Sequence, residues 1–281
     1  MEASLVTTIE TPAPGVYPRI PSEDYHRWKA LSNSHLSELR RSPAHLLARL
    51  KGEVKLETPA LRLGRAIHAA VLEPDVFKQQ YALAPDLDRR TKIGKEAWES
   101  LVSIHGAGNI LAPEDYVTCT SIRDSVWRKQ AAKTLLGTEG EAELSVVWDN
   151  DGILSKARAD RMSWKLKGGT IVDLKSTQDA SLAAFEKSIF NFGYHRQGAW
   201  YLQGFGARKV EVAHYCIIAV EKDPPYEVGV YRLTEEALNA GWKEIEPLLD
   251  VYRKCLETNE WPGYADRVLD IALPAWAWSQ V

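Results

Sequence analysis

The sequence predicts an α/β fold with a central mixed β-sheet flanked by helices and a helical N-terminal part. Two observations predict this class. Apolar residues recur at helical spacing as far as about residue 136, where the pattern changes to the short runs and turn residues of β-strands. Beyond these strands, helical and strand segments alternate, an order that is typical of helices packed on a sheet.

Composition predicts one domain that follows a short N-terminal segment. The chain has 281 residues, is 45% hydrophobic and 26% charged, and carries a formal net charge of -3. This is an ordinary composition for a soluble globular protein. Residues 1–21 are rich in Thr, Pro and Ala and are predicted to form a flexible lead-in, whereas residues 22–281 are predicted to form a single domain.

Several features predict a cytoplasmic protein. The sequence has no stretch long and apolar enough to span a bilayer, and its N-terminus lacks the basic and apolar regions of a signal peptide. Cys119, Cys216 and Cys255 are widely spaced and include no CxxC pair, which favours a reducing compartment and argues against an iron–sulfur cluster or a structural zinc site. The slightly negative net charge does not exclude a nucleic-acid partner, because local charge decides such binding.

Capping residues that precede apolar residues at helical spacing predict the N-terminal helices. Leu36 and Leu39 would form the apolar face of the first one, and Pro43 suits the first turn of the second. The predicted elements are a helix from Ser32 or Ser34, a helix from Pro43, a buried helix over 58–73, a mobile loop with a short helix over 86–108, and one or two helices over 113–136.

Alternating apolar residues then predict a meander of three strands. Residues 143–148 and 153–162 would pair through a hairpin turn at 149–152, and a third strand over 170–177 follows the turn signal Gly168-Gly169. The remaining predicted elements are helices over 180–190 and 194–206, strands over 210–220 and 226–233, and a final helix over 234–259.

Two carboxylates and a lysine lie in adjacent predicted strands. Asp173 and Lys175 project from the same strand face because side chains repeat with period two, and Asp160 arrives from the preceding strand. This arrangement can hold a divalent metal beside a cation, as phosphodiester hydrolysis requires. The alternative is a strand-end aspartate and an Asp173–Lys175 salt bridge. We favour the metal site, since Asp and Lys are poor strand formers.

Three other residues are ambiguous when each is taken alone. A histidine on an apolar helix, such as His68, is more often a core residue than a ligand, although a neutral imidazole binds divalent metals. Gln197 and Tyr201 stand at i, i+4 on one helix face. That spacing is also expected of a buried aromatic ring beside a hydrogen-bonded amide.

Taken together, these motifs resemble the RecB-type branch of the PD-(D/E)XK nuclease superfamily, and within it the RecE-type (exodeoxyribonuclease VIII) exonucleases. The order Gly-x-x-x-His, Asp, Asp-x-Lys, Gln-x-x-x-Tyr is similar to that of the family. The resemblance covers most of the chain after about Tyr25 and implies a restriction-endonuclease-like core. Further segments similar to the family are residues 31–36, 42–45, 64–74 and 261–264.

The resemblance implies a catalytic role for the acidic strands. Asp160 stands for the aspartate of the PD element, although Ala159 replaces its proline. Asp173 and Lys175 stand for the (D/E)xK element, in which the lysine positions or helps to deprotonate the attacking water. The expected cofactor is Mg²⁺, with one or two ions per site and Mn²⁺ as an alternative.

The resemblance also completes the metal shell and the DNA site. His68 and the carbonyl of Leu174 would be further metal ligands, and Gln197 and Tyr201 would help to place the DNA strand. Glu143, at the start of the first meander strand, is either a carboxylate near the metals or a strand-edge charge.

The implied activity is processive 5′→3′ digestion of one strand of linear double-stranded DNA to mononucleotides, which leaves a 3′ single-stranded overhang. The implied partners are DNA ends, a single-strand annealing protein, and further copies of the chain in a ring-shaped trimer or tetramer. The apolar tail 271–278 either contributes to such an interface, or docks a partner, or packs on its own core.

Other residues are candidates for DNA contacts. Arg27, Ser32 and Ser34 could anchor a terminal 5′-phosphate, because arginine and hydroxyl groups at a helix N-terminus form an anion site, although Ser32 is alternatively an ordinary helix cap. The predicted contacts to backbone phosphates are Arg89, Arg90 and Lys92.

Two other functions fit the motifs: an endonuclease of the same fold, and an inactive DNA-binding module, which would have no need of the acidic set.

Overall fold

The computed structural model of the protein describes residues 11–53, 58–166 and 168–274. Its helices are α1 Ser22–Arg27, α2 Asn33–Arg41, α3 Pro43–Leu50, α4 Pro59–Leu72, α5 Pro74–Gln80, α6 Lys92–His105, α7 Pro113–Arg128, α8 Gln130–Gly137, α9 Leu182–Phe192, α10 Tyr194–Ala207 and α11 Glu235–Thr258. Its strands are β1 Gly15–Tyr17, β2 Ala82–Leu83, β3 Ile110–Leu111, β4 Gly140–Asn150, β5 Ile153–Ser163, β6 Thr170–Thr177, β7 His214–Glu221 and β8 Val228–Arg232. The predicted α/β class is confirmed.

The central sheet has the strand order β1-β4-β5-β6-β7-β8 within the described ranges. β4, β5 and β6 form the predicted antiparallel meander, whereas β6 and β7 run parallel. A parallel pair needs a crossover connection, which α9 and α10 provide. β8 then returns antiparallel to β7, so the sheet is mixed, as predicted. A separate two-stranded sheet pairs β2 with β3 in parallel.

Apolar side chains cover both faces of the central sheet. One core cluster joins Trp200 of α10 to Ile217 of β7. A second cluster joins Ile67 of α4 and Ile122 of α7 to Val172 of β6. The sheet is therefore packed between helical layers, and α4 and α10 approach it as parts of two separate core clusters.

Two of the elements that the sequence did not predict lie in segments predicted to be flexible or mobile. Residues 15–17, within the predicted flexible lead-in, form β1 and pair antiparallel with β4. The predicted mobile loop over 86–108 contains the 14-residue helix α6, which Thr91 caps by accepting a hydrogen bond from the Gly94 amide at 3.1 Å. Many polar residues on α6 conceal its apolar spacing, which is why only a short helix was predicted.

Some predictions fall at the margins of the described chain. Residues 1–10 of the predicted lead-in and residues 275–278 of the apolar tail lie outside the described residues. The described end of the tail has no regular secondary structure, and Ile271 is exposed.

All three cysteines are buried free thiols. Among the helices described, none combines the length and apolar character needed to cross a membrane.

Candidate metal centre and active site

The site begins where β5 and β6 separate. Their ladder contains three pairs, of which Arg161 opposite Val172 is the last before the gap within the described strands. Asp160 and Asp173 come next on their respective strands. The Asp160 carboxylate reaches across and accepts a hydrogen bond from the Leu174 amide at 2.8 Å. The Asp160 side chain thus accepts a backbone hydrogen bond that a carbonyl of the neighbouring strand would accept in a regular ladder. This bond fixes the Asp160 carboxylate at the opening.

Three potential metal ligands meet at this opening. His68 of α4, Glu143 of β4 and Asp160 of β5 each offer one ligand atom, and these atoms all lie within 4.8 Å of one another. His68 Nδ1 is 3.4 Å from Asp160 Oδ2. The helix that carries His68 is held in place by buried neighbours, including Ile67 and Ala70. One imidazole nitrogen and two carboxylates form a donor set that fits a divalent cation.

Glu143 has an unusual backbone. Its φ of +53° lies in the left-handed region, which is unfavourable for residues other than glycine. The flanking pairs, Ala142 opposite Arg161 and Leu144 opposite Ala159, place Glu143 across the ladder from Asp160. Burial raises the pKa of Glu143, and the charge of Asp160 raises it further. This position favours the interpretation of Glu143 as a carboxylate near the metals.

Asp173 and Lys175 form an ion pair beside this triad, in which the carboxylate is buried and the lysine is partly exposed. Asp173 is only 1% exposed, and its Oδ2 lies 2.5 Å from Lys175 Nζ. Burial raises the pKa of Asp173, and although burial lowers that of Lys175, the charges of Asp173 and Asp160 raise it above its ordinary value. Lys175 is therefore a charged ammonium group at neutral pH. Its Nζ also lies 5.0 Å from the ring centroid of Tyr194.

Helix α10 holds Asp173 from the other side. Gln197 Nε2 donates a hydrogen bond to Asp173 Oδ1 at 2.8 Å. Tyr201 lies one turn further along the helix, and burial raises its pKa well above the ordinary value. The helix approaches the sheet closely because Gly204 packs against the ring of Trp148, where a Cβ atom would clash. The predicted Gln-x-x-x-Tyr pair is thus brought to the acidic strands.

A groove of about 1410 Å³ opens beside these residues. Glu143, Asp160, Leu174 and Lys175 all line it, whereas the buried Asp173 lies beneath Lys175 and Gln197. A negative centre within a positive wall suits a polyanion such as nucleic acid. The cationic residues of the wall include Arg49, Arg65, Lys156 and Arg158.

The predicted residues for the terminal phosphate also line this groove. Ser32 caps α2 by accepting a hydrogen bond from the His35 amide at 3.4 Å. Ser34 Oγ accepts a hydrogen bond from Arg49 at 3.3 Å. Arg27 is exposed, and its guanidinium lies 3.6 Å from the Asp24 carboxylate on its own helix. The structure therefore places all three residues on the wall of the groove that holds the metal triad.

The other predicted DNA contacts lie elsewhere. Arg89 lies over the ring of Trp98, 4.0 Å from its centroid, and lines a separate cavity of about 410 Å³. Arg90 donates to Asp88, and Lys92 Nζ is 3.8 Å from Glu96. These basic residues belong to the surface around the start of α6 and are absent from the wall of the large groove.

Two of the groove cations that the sequence analysis did not identify, Lys156 and Arg158, lie on β5. Lys156, Arg158 and Asp160 are spaced two residues apart along β5, so their charged side chains lie on the same face of the strand. The same signal had identified Asp173 and Lys175 on β6. Lys156 is buried and donates hydrogen bonds to the carbonyls of Tyr25 and Trp28, each at 2.7 Å.

A family model for a PDDEXK-like domain of unknown function, DUF3799, matches residues 32–270. The chain belongs to this family. The matched range of this DUF3799 protein contains the triad, the Asp173–Lys175 pair and the Gln197 helix. As predicted from its motifs, the chain is a member of the PD-(D/E)XK superfamily.

Comparison with solved structures supports the fold of this DUF3799 protein. A candidate exonuclease from Eubacterium rectale superimposes with a TM-score of 0.62 at 15% identity, over 93% of this chain and 98% of that chain. SSO0001 has a TM-score of 0.28 at 16% identity, over 66% of this chain and 84% of that chain. No curated protein matches the chain. The restriction-endonuclease-like fold predicted from the motifs is confirmed by the first comparison.

Family and fold together support a nuclease that acts on DNA. PD-(D/E)XK nucleases are generally dependent on divalent metals, and the His68, Glu143 and Asp160 triad fits such an ion in the DUF3799 protein.

Proposed function

We propose that the protein is a metal-dependent exonuclease that digests linear double-stranded DNA 5′→3′ to mononucleotides. The 3′ single-stranded overhang that remains would serve recombination by strand annealing. The observation that carries this proposal is the convergence of the metal triad with the Asp173–Lys175 pair on one open, cation-lined groove. The polarity and the product rest on the resemblance to RecE-type exonucleases.

The residues present fit Mg²⁺, or Mn²⁺ as an alternative. His68, Glu143 and Asp160 would hold one ion, and the resemblance adds Asp173 and the Leu174 carbonyl as ligands. When bound, the ion supplies Lewis-acid polarisation of the scissile phosphate and a more acidic water.

The protein's own contribution is to position charge. Gln197 and Lys175 hold the Asp173 carboxylate from two sides, and Lys175 reaches the groove. Its ammonium group would orient the attacking water and offset the charge that develops on the phosphoryl oxygens. Because Asp173 is buried and Lys175 is only 19% exposed, this geometry is set before DNA binds.

Selection of a 5′ end requires a site for the terminal phosphate. Arg27, Ser32 and Ser34 stand on the groove wall, and Arg49 is hydrogen bonded to Ser34. Arginine and hydroxyl groups near the start of α2 suit an anion. We assign the anchor to these residues.

Arg27→Ala should therefore erase the preference for 5′-phosphorylated ends. The measurement is the ratio of initial rates on duplexes with a 5′-phosphate and with a 5′-hydroxyl. Arg41→Ala is the matched control, because Arg41 is similarly exposed (58% against 60%) and also pairs with a carboxylate three residues earlier, but does not line the groove. An unchanged ratio in Arg27→Ala would remove Arg27 from the anchor.

The partners follow from the same proposal. Processive digestion requires that the enzyme stay on DNA between cuts, and a closed ring-shaped trimer or tetramer would meet this requirement through a heterologous interface. A single-strand annealing protein would take up the overhang, and the setting would be the cytoplasm. Light scattering on the purified protein measures the oligomer, and a monomer would contradict the ring.

One experiment tests the activity, its polarity and its end requirement. The protein is incubated with Mg²⁺ and linear duplexes labelled at either end, with and without a 5′-phosphate. We expect early release of labelled mononucleotide from the 5′ end only, and no release in EDTA. Cleavage of covalently closed circular DNA would instead indicate an endonuclease, and binding without cleavage would indicate an inactive DNA-binding module.

A further inference from the structure

A cation next to the metal triad has no role in the function proposed above. Arg158 lies on β5, two residues before Asp160, and its side chain is 14% exposed on the groove wall. Its Nε donates a hydrogen bond to Glu143. Its Nη1 is buried and has no hydrogen-bond partner among the residues that the structure describes. Buried donors are normally satisfied, so Nη1 is a donor that can still take an acceptor, and unlike Arg161 it belongs to a residue of the groove wall.

The surroundings hold Arg158 in place. Its Cζ atom lies 5.6 Å from the ring centroid of Tyr25. The Tyr25 carbonyl is in turn bound by Lys156, which stands on the same strand. Burial, together with the charges of Lys156 and Arg158, lowers the pKa of His26 to about 4, so this groove imidazole is neutral at pH 7. The positive charge at this part of the wall therefore comes from Lys156 and Arg158, which are held in place, and His26 contributes no charge.

Glu143 belongs to two arrangements at once. Its carboxylate pairs with Arg158, and one of its oxygens also lies within 4.8 Å of the potential ligand atoms of His68 and Asp160. A divalent cation in the triad would compete with the guanidinium for this carboxylate. The negative charge that neutralises Arg158 in the metal-free protein would then be shared with the metal.

We propose that Arg158 binds a phosphate of the DNA strand beside the metal centre, and that Glu143 couples this contact to metal binding. Without metal, the Glu143 carboxylate is paired with the Arg158 guanidinium. With metal bound, the carboxylate faces the ion and the guanidinium is available to the phosphate oxygens, which its planar fork matches. This inference rests on the proposed nuclease function, because it assumes DNA in the same groove.

The first test measures DNA binding rather than cleavage. A fluorescent 5′-phosphorylated duplex is titrated with protein in Ca²⁺, which replaces Mg²⁺ to slow hydrolysis, and Kd is read by anisotropy at several salt concentrations. We expect Arg158→Gln to weaken binding about 10-fold and to lower the slope of log Kd against log salt by about one. Arg158→Lys should recover part of the affinity, since it restores the charge without the fork.

Arg161→Gln is the matched control. Arg161 stands on the same strand and donates to the Thr138 carbonyl, but it does not line the groove. It should bind the duplex with the affinity and salt slope of the wild-type protein. Thermal melting of each variant accompanies the titration, and wild-type affinity and slope in a folded Arg158→Gln protein would overturn the assignment.

The second test uses Glu143, for which the proposal predicts a gain. In EDTA, Glu143→Gln should bind the duplex several-fold more tightly than the wild-type protein, because Arg158 is no longer neutralised. The gain should disappear in the Glu143→Gln, Arg158→Gln double variant; a gain that persists there would be a general charge effect and would overturn the coupling.

The two proposals fail in different ways. A wild-type protein that binds DNA through Arg158 but does not cleave it in Mg²⁺ would contradict the nuclease and leave the phosphate contact intact. Cleavage by the wild-type protein with no effect of Arg158→Gln on Kd would contradict the contact alone. Absence of duplex binding by the wild-type protein would contradict both.

Discussion

Asp173→Asn is expected to reduce hydrolysis of linear duplex DNA by on the order of 10³-fold or more. The substitution keeps the shape of the side chain, and its oxygen can still accept the hydrogen bond from Gln197. It removes the negative charge that holds Lys175 and that contributes to the electrostatics of the metal centre. Initial rates on an end-labelled duplex in saturating Mg²⁺ measure the effect.

Asp179→Asn is the control for this variant. Asp179 follows the same strand, is exposed, and accepts a hydrogen bond from the Ser181 amide at 2.8 Å rather than facing the site. It should cleave DNA at the wild-type rate. Near-normal cleavage by Asp173→Asn would exclude Asp173 from catalysis and would remove the main support for the proposed mechanism.

The acidic strands could be predicted because their signal is local. Charged side chains at period two within an apolar strand stand out in any sequence, and the hairpin and meander around Asp160 and Asp173 follow from turn residues. The convergence of His68 on these strands is a different kind of information. It depends on how α4 packs against the sheet, which short-range patterns do not encode; only the order of motifs in the family resemblance indicated it.

The position of Glu143 beside Asp160 lay beyond such patterns for a physical reason. Its left-handed φ is imposed by tertiary structure against the preference of the residue, so no propensity argument predicts it. The pair that it forms with Arg158 joins residues on two different strands, which the register alone brings together. The length of helix α6 was underestimated for a different reason. Its many polar residues dilute the apolar periodicity on which helix prediction depends.

The groove combines these parts into one electrostatic arrangement. Carboxylates are concentrated at the opening between β5 and β6, where they fit a metal, and arginine and lysine side chains occupy the remaining wall. DNA would be attracted by the wall and repelled by the carboxylates until a cation neutralises them. Binding of metal and of DNA should therefore be mutually favourable, whichever end of the duplex enters the groove.

Lys175→Met should separate the chemistry from metal binding. We expect the cleavage rate to fall by about 10²- to 10⁴-fold, because the group that orients the water and offsets phosphoryl charge is lost, while Mg²⁺ binding by calorimetry persists. Burial already raises the pKa of Asp173, and loss of Lys175 would raise it further. The titration is therefore done near pH 8, where a larger share of this carboxylate is ionised.

Lys165→Met provides the comparison for Lys175→Met, since Lys165 is also paired with a carboxylate, Glu139, at 2.5 Å, but on the exposed surface. It should retain both activity and metal binding. Loss of Mg²⁺ binding in Lys175→Met would mean that the lysine supports the metal site itself rather than the reaction. A wild-type cleavage rate in Lys175→Met would mean that the Asp173–Lys175 pair serves stability alone.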